Sequence, residues 1–462
     1  MMTLSLAVRN LLRNRRRSLA TLLAMAIGST SILLFGGYSN NINYTMHTAY
    51  VQKGGHLQIQ HRDFYLYGSG NPIAYGIVDY EKILHAIQDD EVLRNIVLVA
   101  TPTLQFGGIA GNYTAGVSRT VIGNGFVAKD INLMRRWNDF DLRTGTPSFA
   151  LEGAPADASI VGTGVARVLQ LCDALNMPRC AKPEIVQKSE GMAIPDDLAQ
   201  LSLQEAPAMT TVSSSRIELL ASNARGTPNV VSLQVIRAEA QGFKELDEVY
   251  VMMHLVQAQQ LIYGKSPPKI TSIILQLRHS DQMTVALSRL APILTRFASF
   301  QPLAVLDFRT LNPFYVQTIQ MFDTIFGFIF ALIGAIILFT VGNTMNTAVV
   351  ERTVEIGTLR AMGVRRAGIR HLFVTEGMLL GLCGALLGVV LALALSAIVN
   401  HMGLTWSPPG TVEPLPLTLR VWGETSMIAG TTFGLFLISI LSAWWPAYRA
   451  AQLDVVVALR HV

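Results

Sequence analysis

Charged side chains are scarce in this 462-residue chain, at 15% Asp, Glu, Lys and Arg together. Soluble domains average about 25%, so the whole length does not read as a solvated globule. Cysteine is scarcer still, with three residues in all. That is too few for a disulfide-built scaffold or a cysteine-rich metal centre. A phosphate-cradling loop is also missing. Gly264-Lys265-Ser266 has the ending of a P-loop motif, but Gln259 stands where its first glycine belongs. Pro267 and Pro268 then follow where a helix must begin. No Walker-B-like acidic strand accompanies it, so the chain is not expected to hydrolyse ATP. No Ser/His/Asp, paired-carboxylate or Cys/His constellation stands out, and no catalytic residue is expected. His56 and His61 flank a strand-like run near Asp63, at a spacing that does not converge on a metal.

What is present is hydrophobic, at 50% of the chain and a mean hydropathy of +0.38. The apolar residues collect in one block near the N-terminus and three blocks after residue 314. A long stretch of ordinary globular composition separates them. The net charge is +5, but the arginines cluster beside the apolar blocks rather than among aromatics. That pattern sets topology against membrane lipids and does not suit a nucleic acid.

Four spans are expected, at about 19–40, 314–350, 372–398 and 426–445. Arg9, Arg13, Arg15, Arg16 and Arg17 precede the first, in an N-terminal amphipathic segment over 1–18. A cleaved secretory signal is the other reading of such a start, but Tyr38-Ser39-Asn40-Asn41 offers no small-residue cleavage site. The second span is longer than a bilayer needs and should project as a stalk. Segment 351–371 carries five arginines, Arg352, Arg360, Arg365, Arg366 and Arg370, against Glu351 and Glu355. The tail, 446–462, has Arg449 and Arg460, whereas the proline-rich loop 399–425 has Arg420 with Glu413 and Glu424. Arginine excess on alternate segments predicts both termini in the cytoplasm and residues 41–313 on the outer side of the membrane.

The outside domain reads as α/β. Residues 57–60, 96–99, 230–235 and 270–277 look like strands, and 80–87, 164–175, 255–262 and 283–297 like helices. Residues 181–228 look like an irregular insertion. An oxidising compartment would allow Cys172 and Cys180 to form a disulfide; two unrelated thiols are the alternative. In the third span, Gly377, Gly381, Gly384 and Gly388 recur at helical spacing. Such a stripe packs helices closely, within the chain or across a subunit interface. Asp323 lies early in the second span, suiting the outer interface or stalk, or a substrate contact. Trp444 and Trp445 read as an interfacial belt.

The most informative stretch is Glu351-Arg352-Thr353-Val354-Glu355-Ile356-Gly357-Thr358-Leu359-Arg360-Ala361-Met362-Gly363. On a helix Glu351 and Glu355 stand one turn apart, and Ile356, Leu359 and Gly363 share a stripe. The spacing predicts a short amphipathic helix with Gly363 at its C-cap. It can rest in a groove on a soluble partner, or be a basic loop that merely sets topology.

This stretch resembles the signature of MacB/FtsX-type permeases, the lipoprotein-release-like ABC transporter family. Glu376-Gly377-Met378-Leu379-Leu380-Gly381, Trp445-Pro446-Ala447-Tyr448-Arg449-Ala450-Ala451 and Ala7-Val8-Arg9-Asn10-Leu11-Leu12-Arg13-Asn14 agree with it. So do Ser159-Ile160-Val161-Gly162 and Val249-Tyr250-Val251 in the outside domain. The resemblance implies that Glu351, Arg352, Glu355, Ile356, Gly357, Leu359, Arg360 and Gly363 meet a separate ATPase subunit. That partner would hold ATP and Mg, leaving this chain without a cofactor. A second permease copy or homologue is implied, with a periplasmic adaptor or acceptor as a further partner. The implied activity is mechanotransmission, moving a lipoprotein, lipid or other amphiphile. Gly54-Gly55-His56-Leu57-Gln58-Ile59 leans toward the lipoprotein-release branch. The alternative is an FtsX-like regulator that switches a cell-wall hydrolase and transports nothing. A peptide-antibiotic sensing permease ranks last, since that type has more spans. After residue 171 the family pattern expects a Gly-Asp pair and a strand, where this chain has Cys172, Cys180 and the insertion. Cargo is therefore not carried over.

Overall fold

The structure is a computed structural model that describes residues 2–13, 15–142, 148–177, 215–407, 414–455 and 458. Its helices are α1 (Met2–Arg13), α2 (Arg15–Gly54), α3 (Phe64–Tyr67), α4 (Tyr80–Asp89), α5 (Glu91–Ile96), α6 (Ala128–Arg135), α7 (Thr163–Val168) and α8 (Lys244–Asp247). The series continues with α9 (Leu255–Tyr263), α10 (Met283–Thr295), α11 (Phe308–Leu311), α12 (Pro313–Glu351), α13 (Thr353–Ala361), α14 (Arg366–Met402) and α15 (Thr425–Gln452). The strands are β1 (Leu57–His61), β2 (Val97–Asn112), β3 (Val117–Phe126), β4 (Ala158–Gly162), β5 (Arg216–Ser222) and β6 (Pro228–Glu239). They continue with β7 (Tyr250–His254), β8 (Ser272–Leu277), β9 (Leu303–Asp307), β10 (Thr405–Trp406) and β11 (Leu415–Pro416). The chain divides into two compact units: 1–47 with 313–406 and 415–462, and 48–312 with 407–414.

In the first unit, α2, α12, α14 and α15 are long and apolar enough to cross a membrane. Three outrun the expected spans, α14 running over Arg366–Met402 where 372–398 was expected. Helix α2 continues to Gly54 rather than ending near residue 40, giving 40 residues, or about 60 Å. Helix α15 runs through Pro446 to Gln452 instead of stopping at that proline. The seam buries Met25, Ile32, Ile337, Val341, Leu380, Leu435 and Ala443. Outward side chains such as Phe339 and Leu441 remain exposed, as lipid-facing positions must. Several polar groups inside the bundle are matched: Ser29 Oγ donates to the Ala385 carbonyl at 3.2 Å, and Thr21 and Thr344 hydroxyls meet at 2.8 Å.

The stripe on α14 fits against this same chain. A Cβ at Gly377 or Gly381 would strike Ala443 or Ser439 of α15. At Gly384 or Gly388 it would strike Met25 or Ser29 of α2. Each contact falls below 3.0 Å, so these positions admit no larger residue without movement.

The second unit contains two sheet regions that share β2. Pairings β2–β3, β3–β7, β7–β4, β4–β6, β6–β5 and β5–β2 return to their start, closing six strands into a ring. Closure removes the strand edges that would otherwise need covering. Leu104, Phe106, Val121, Ile217, Leu219, Leu233 and Val251 fill the core. Phe106 faces Gly123 across the β2–β3 pair. A Cβ on Gly123 would come 2.3 Å from the Phe106 ring, so the glycine makes room for the aromatic. The first half of β2 joins β8, β1 and β9 in an antiparallel sheet. Its Leu57, Ile59, Ile273 and Leu275 pack with Ile83, Ile87, Leu93 and Leu290 of α4, α5 and α10.

Three expectations for this unit need correction. Residues 216–222, placed in the irregular insertion, form β5 and are paired on both sides, by β2 and β6. The helix expected over 164–175 stops at Val168, and Gln170 turns the chain with φ 54°. The strand expected over 96–99 is the start of the 16-residue β2.

Candidate functional site

The segment between the second and third long helices is bent twice. Helix α12 ends at Glu351, and Arg352, at φ −105° and ψ 18°, separates it from α13. The two glutamates expected on one helix therefore sit on either side of this break. Helix α13 closes in a Schellman arrangement. Gly363 N–H donates to the Arg360 carbonyl at 3.1 Å and Val364 N–H to the Leu359 carbonyl at 3.1 Å. Gly363 carries the φ of +92° that such an ending demands.

Five of the eight expected coupling residues face inward. Arg352 is buried, and its Nη1 donates to Glu376 Oε1 at 2.9 Å. Its Nη2 donates to the Asn10 carbonyl at 3.1 Å, while Asn10 Nδ2 donates to Glu376 at 2.6 Å. One triad thus joins α1, the α12–α13 break and α14. Ile356 and Gly357 are buried, and Leu359 packs on the cluster of Val349, Ile369, Phe373 and Ala447. Arg360 Nη1 donates to the Ala451 carbonyl at 3.0 Å, filling an acceptor left open at the end of α15.

Glu351 and Glu355 are exposed but paired, with Arg17 and with Arg13 at 2.7 Å. The outward surface instead consists of Val354, Thr358, Ala361, Met362, Val364, Arg365 and Arg366. Val354 and Met362 are 46% and 69% exposed, uncommon for apolar groups on a helix with an available core. Sequence reasoning put none of these side chains in the site. It also left out Asn10 and Glu376, although a carboxylate within an apolar run signals a buried partner.

The remaining candidates lie elsewhere. Cys172 is disulfide-bonded; Cys180, its expected partner, lies outside the described residues. His56 is fully buried, with Nδ1 accepting from Leu277 N–H at 3.0 Å and Nε2 3.1 Å from Ser280 Oγ. That is a packed core histidine. His61 Nδ1 accepts the Asp63 N–H at 3.2 Å. Among the described residues no group of three or more His, Cys, Asp or Glu could hold a metal. Asp323 is exposed on α12. A carboxylate that sequence reasoning overlooked, Asp247, is buried and accepts from Thr163 N–H at 2.9 Å and Gly164 N–H at 2.7 Å. It fixes the start of α7.

Residues 324–455 match the FtsX-like permease C-terminal family. The lipoprotein-releasing system transmembrane protein LolC of Haemophilus influenzae is 28% identical over 157 residues, 34% of this chain and 38% of that protein. The macrolide export ATP-binding/permease protein MacB of Escherichia coli is 27% identical over 216 residues, 46% of this chain and 31% of that protein. The matches thus span about a third of these relatives' own lengths. The periplasmic region of MacB from Actinobacillus actinomycetemcomitans aligns at 11% identity and a TM-score of 0.29, covering 56% of this chain and 90% of that one. Residues 324–455 are thus an FtsX-like permease C-terminal region, in a chain that has four helices long and apolar enough to cross a membrane and is similar over part of its length to LolC and MacB.

Proposed function

We propose that this chain is the membrane subunit of an ABC-type machine that works by mechanotransmission from a separate ATPase. The observation that carries the reading is the α13 surface. Its inner side is tied by Arg352, Ile356 and Arg360 to α1, α14 and α15, while Val354 and Met362 point outward. A partner seated on that outer side would move the ends of three long helices together. ATP and Mg belong to the partner. Helices α2 and α12 are the covalent routes into residues 48–312, and their lengths, 40 and 39 residues, suit them to carry motion beyond the bilayer. Two such permeases, identical or homologous, would work as a pair in the bacterial cytoplasmic membrane. Residues 48–312 would lie on the extracytoplasmic side, where they act on a lipoprotein, lipid or other amphiphile, directly or through a periplasmic adaptor.

The test is co-purification in nanodiscs with the ATPase encoded beside this chain, wild type against Val354→Asp with Met362→Asp. The double variant should keep the wild-type thermal midpoint and lose ATPase association. Association unchanged by both substitutions, or no association in the wild type, overturns the docking assignment. Stimulated ATP hydrolysis with no lipid or lipoprotein release, but with activation of a cell-wall hydrolase, would assign the chain to the FtsX-like regulators instead.

A further inference from the structure

The sheet formed by β9, β1, β8 and the first half of β2 has an apolar face against its helices and a polar one opposite. Strand β1 shows why: Leu57 and Ile59 point into the core, so Gln58 and Gln60 point the other way. With Thr103 and Gln105 of β2 and Ser272 of β8 they line a cavity of about 830 Å³ within residues 48–312. Gln60 is 3% exposed. Its Nε2 donates to Gln58 Oε1 at 2.8 Å, and Gln58 Nε2 donates to the Gly54 carbonyl at 2.9 Å. This oriented amide relay starts at Gln60 Oε1, which is buried and has no partner among the described residues. A buried acceptor of this kind calls for an N–H or O–H donor.

The same cavity holds a complementary group. Lys53 Nζ donates to the Gln241 carbonyl at 2.8 Å. An ammonium has three donors, and the described residues supply no partner for the other two. Arg135 and Arg237 also line the cavity, and both reach Glu239, at 2.7 and 3.9 Å. With Asp247 also acting on Lys53, three cations stand against two carboxylates and the wall stays positive. Phe64, Tyr65 and Tyr250 supply apolar surface beside the polar floor.

We propose that this cavity binds an extended acidic peptide segment. A backbone N–H would donate to Gln60 Oε1, and a carboxylate or carbonyl would accept from Lys53. An acyl chain would meet apolar surface at Phe126, Met252 and Ile274, but it brings no donor to Gln60 Oε1. A peptide unit supplies donor and acceptor side by side. The inference goes beyond the ATPase reading and does not depend on it, because no residue of the α13 surface is involved.

The test is fluorescence anisotropy with the full chain in nanodiscs and a fluorescein-labelled hexapeptide of Ser, Gly and Asp. Competitors are the same peptide with Lys for Asp, and sodium oleate. The acidic peptide should bind saturably, and Gln60→Leu and Lys53→Met should each weaken it about tenfold. Gln60→Leu removes an unpartnered acceptor at nearly constant volume together with the donor to Gln58 Oε1, so the two effects offset and its thermal midpoint should stay close to the wild type's. A loss of binding there is then a lost contact and not a lost fold. The proposal fails if binding does not saturate, if the Lys peptide binds as well, or if Gln60→Leu binds like the wild type. Displacement by oleate that both substitutions weaken equally overturns it in favour of a lipid.

Discussion

Arg352 and Glu376 have side chains 7% and 2% exposed and lie 2.9 Å apart, where α1, the α12–α13 break and α14 meet. Two charges in such a place are costly to desolvate and hold only while each keeps the other. Removing one strands its partner. Arg352→Met should therefore destabilise the folded chain by about 3–5 kcal/mol, while Arg352→Met with Glu376→Gln should recover most of the loss. Thermal midpoints in detergent decide it: equal losses in the single and double variants would mean that the pair is not one energetic unit. At the surface of the second unit, His279 Nδ1 lies 2.7 Å from Asp139 Oδ1. The hydrogen bond to Asp139, then its charge, raises the His279 pKa above the usual imidazole value. Burial alone would push the Asp139 carboxyl up, but the bonds from His279 and the Ser280 N–H outweigh it and hold it below the usual range. The raised histidine contributes stability below its unfolded pKa and loses it as pH rises through the folded one. The depressed aspartate contributes above its unfolded pKa and loses that as pH falls through the folded one. Both are present between the two titrations, about pH 5 to 6. The midpoint difference between wild type and Asp139→Asn should be widest there and shrink toward pH 8 and pH 3; a flat difference would show that the pair does not couple to folding.

Helices and strands differ in how much of themselves they reveal to sequence. The four long helices were legible because an apolar run of bilayer length needs no partner to be recognised. Their true ends were not. Asn40-Asn41-Ile42-Asn43 looks like a stop, yet α2 continues past it, held on this stretch by Tyr315 Oη to Asn43 Oδ1 at 2.8 Å and by Asn40 Nδ2 to Glu424 at 3.1 Å. Strand β5 was hidden by its Ser- and Pro-rich surroundings, because its place depends on β2 and β6 rather than on its own composition. The segment after the second long helix was legible as a helix, but not which of its sides would be covered. That is decided by Asn10 and Glu376, 342 and 366 residues apart in sequence from their partners Arg352 and Asn10. The glycine stripe was legible as a packing surface, and its neighbours give a sharp expectation. Gly381→Ala would set its Cβ 1.8 Å from Ser439 Oγ, whereas Gly430, with nothing within 4 Å, has room. Gly381→Ala should lower the thermal midpoint and Gly430→Ala should leave it or raise it slightly, since alanine favours helix. Equal midpoints would mean that α14 and α15 are not held this closely.

At the scale of the molecule, the proposed membrane topology is supported by the arginine distribution and by contacts inside the helical unit. The arginine count along the sequence assigns the N-terminus, segment 351–371 and the tail to one side. The contacts are the second support. Arg13 and Arg17 of the N-terminal segment pair with Glu355 and Glu351, and Arg360 bonds the carbonyls of Ala451 and Leu453. All three arginine-rich segments therefore meet at one end of the helical unit. At the other end Tyr44 and Asn40 of α2 bond Glu424, and Arg420 lies 4.9 Å over the Tyr44 ring. The charge rule and the contacts of these same arginines thus divide the helical unit the same way. Single cysteines can test this in a Cys383→Ser background, which spares the disulfide at Cys172. Thr358→Cys, exposed on α13, should react with a membrane-impermeant maleimide in inverted vesicles and stay unlabelled in spheroplasts. His401→Cys, exposed near the end of α14, should do the reverse. Labelling of both from one face would place an odd number of crossings wrongly, and the cytoplasmic docking of an ATPase on α13 would fall with it.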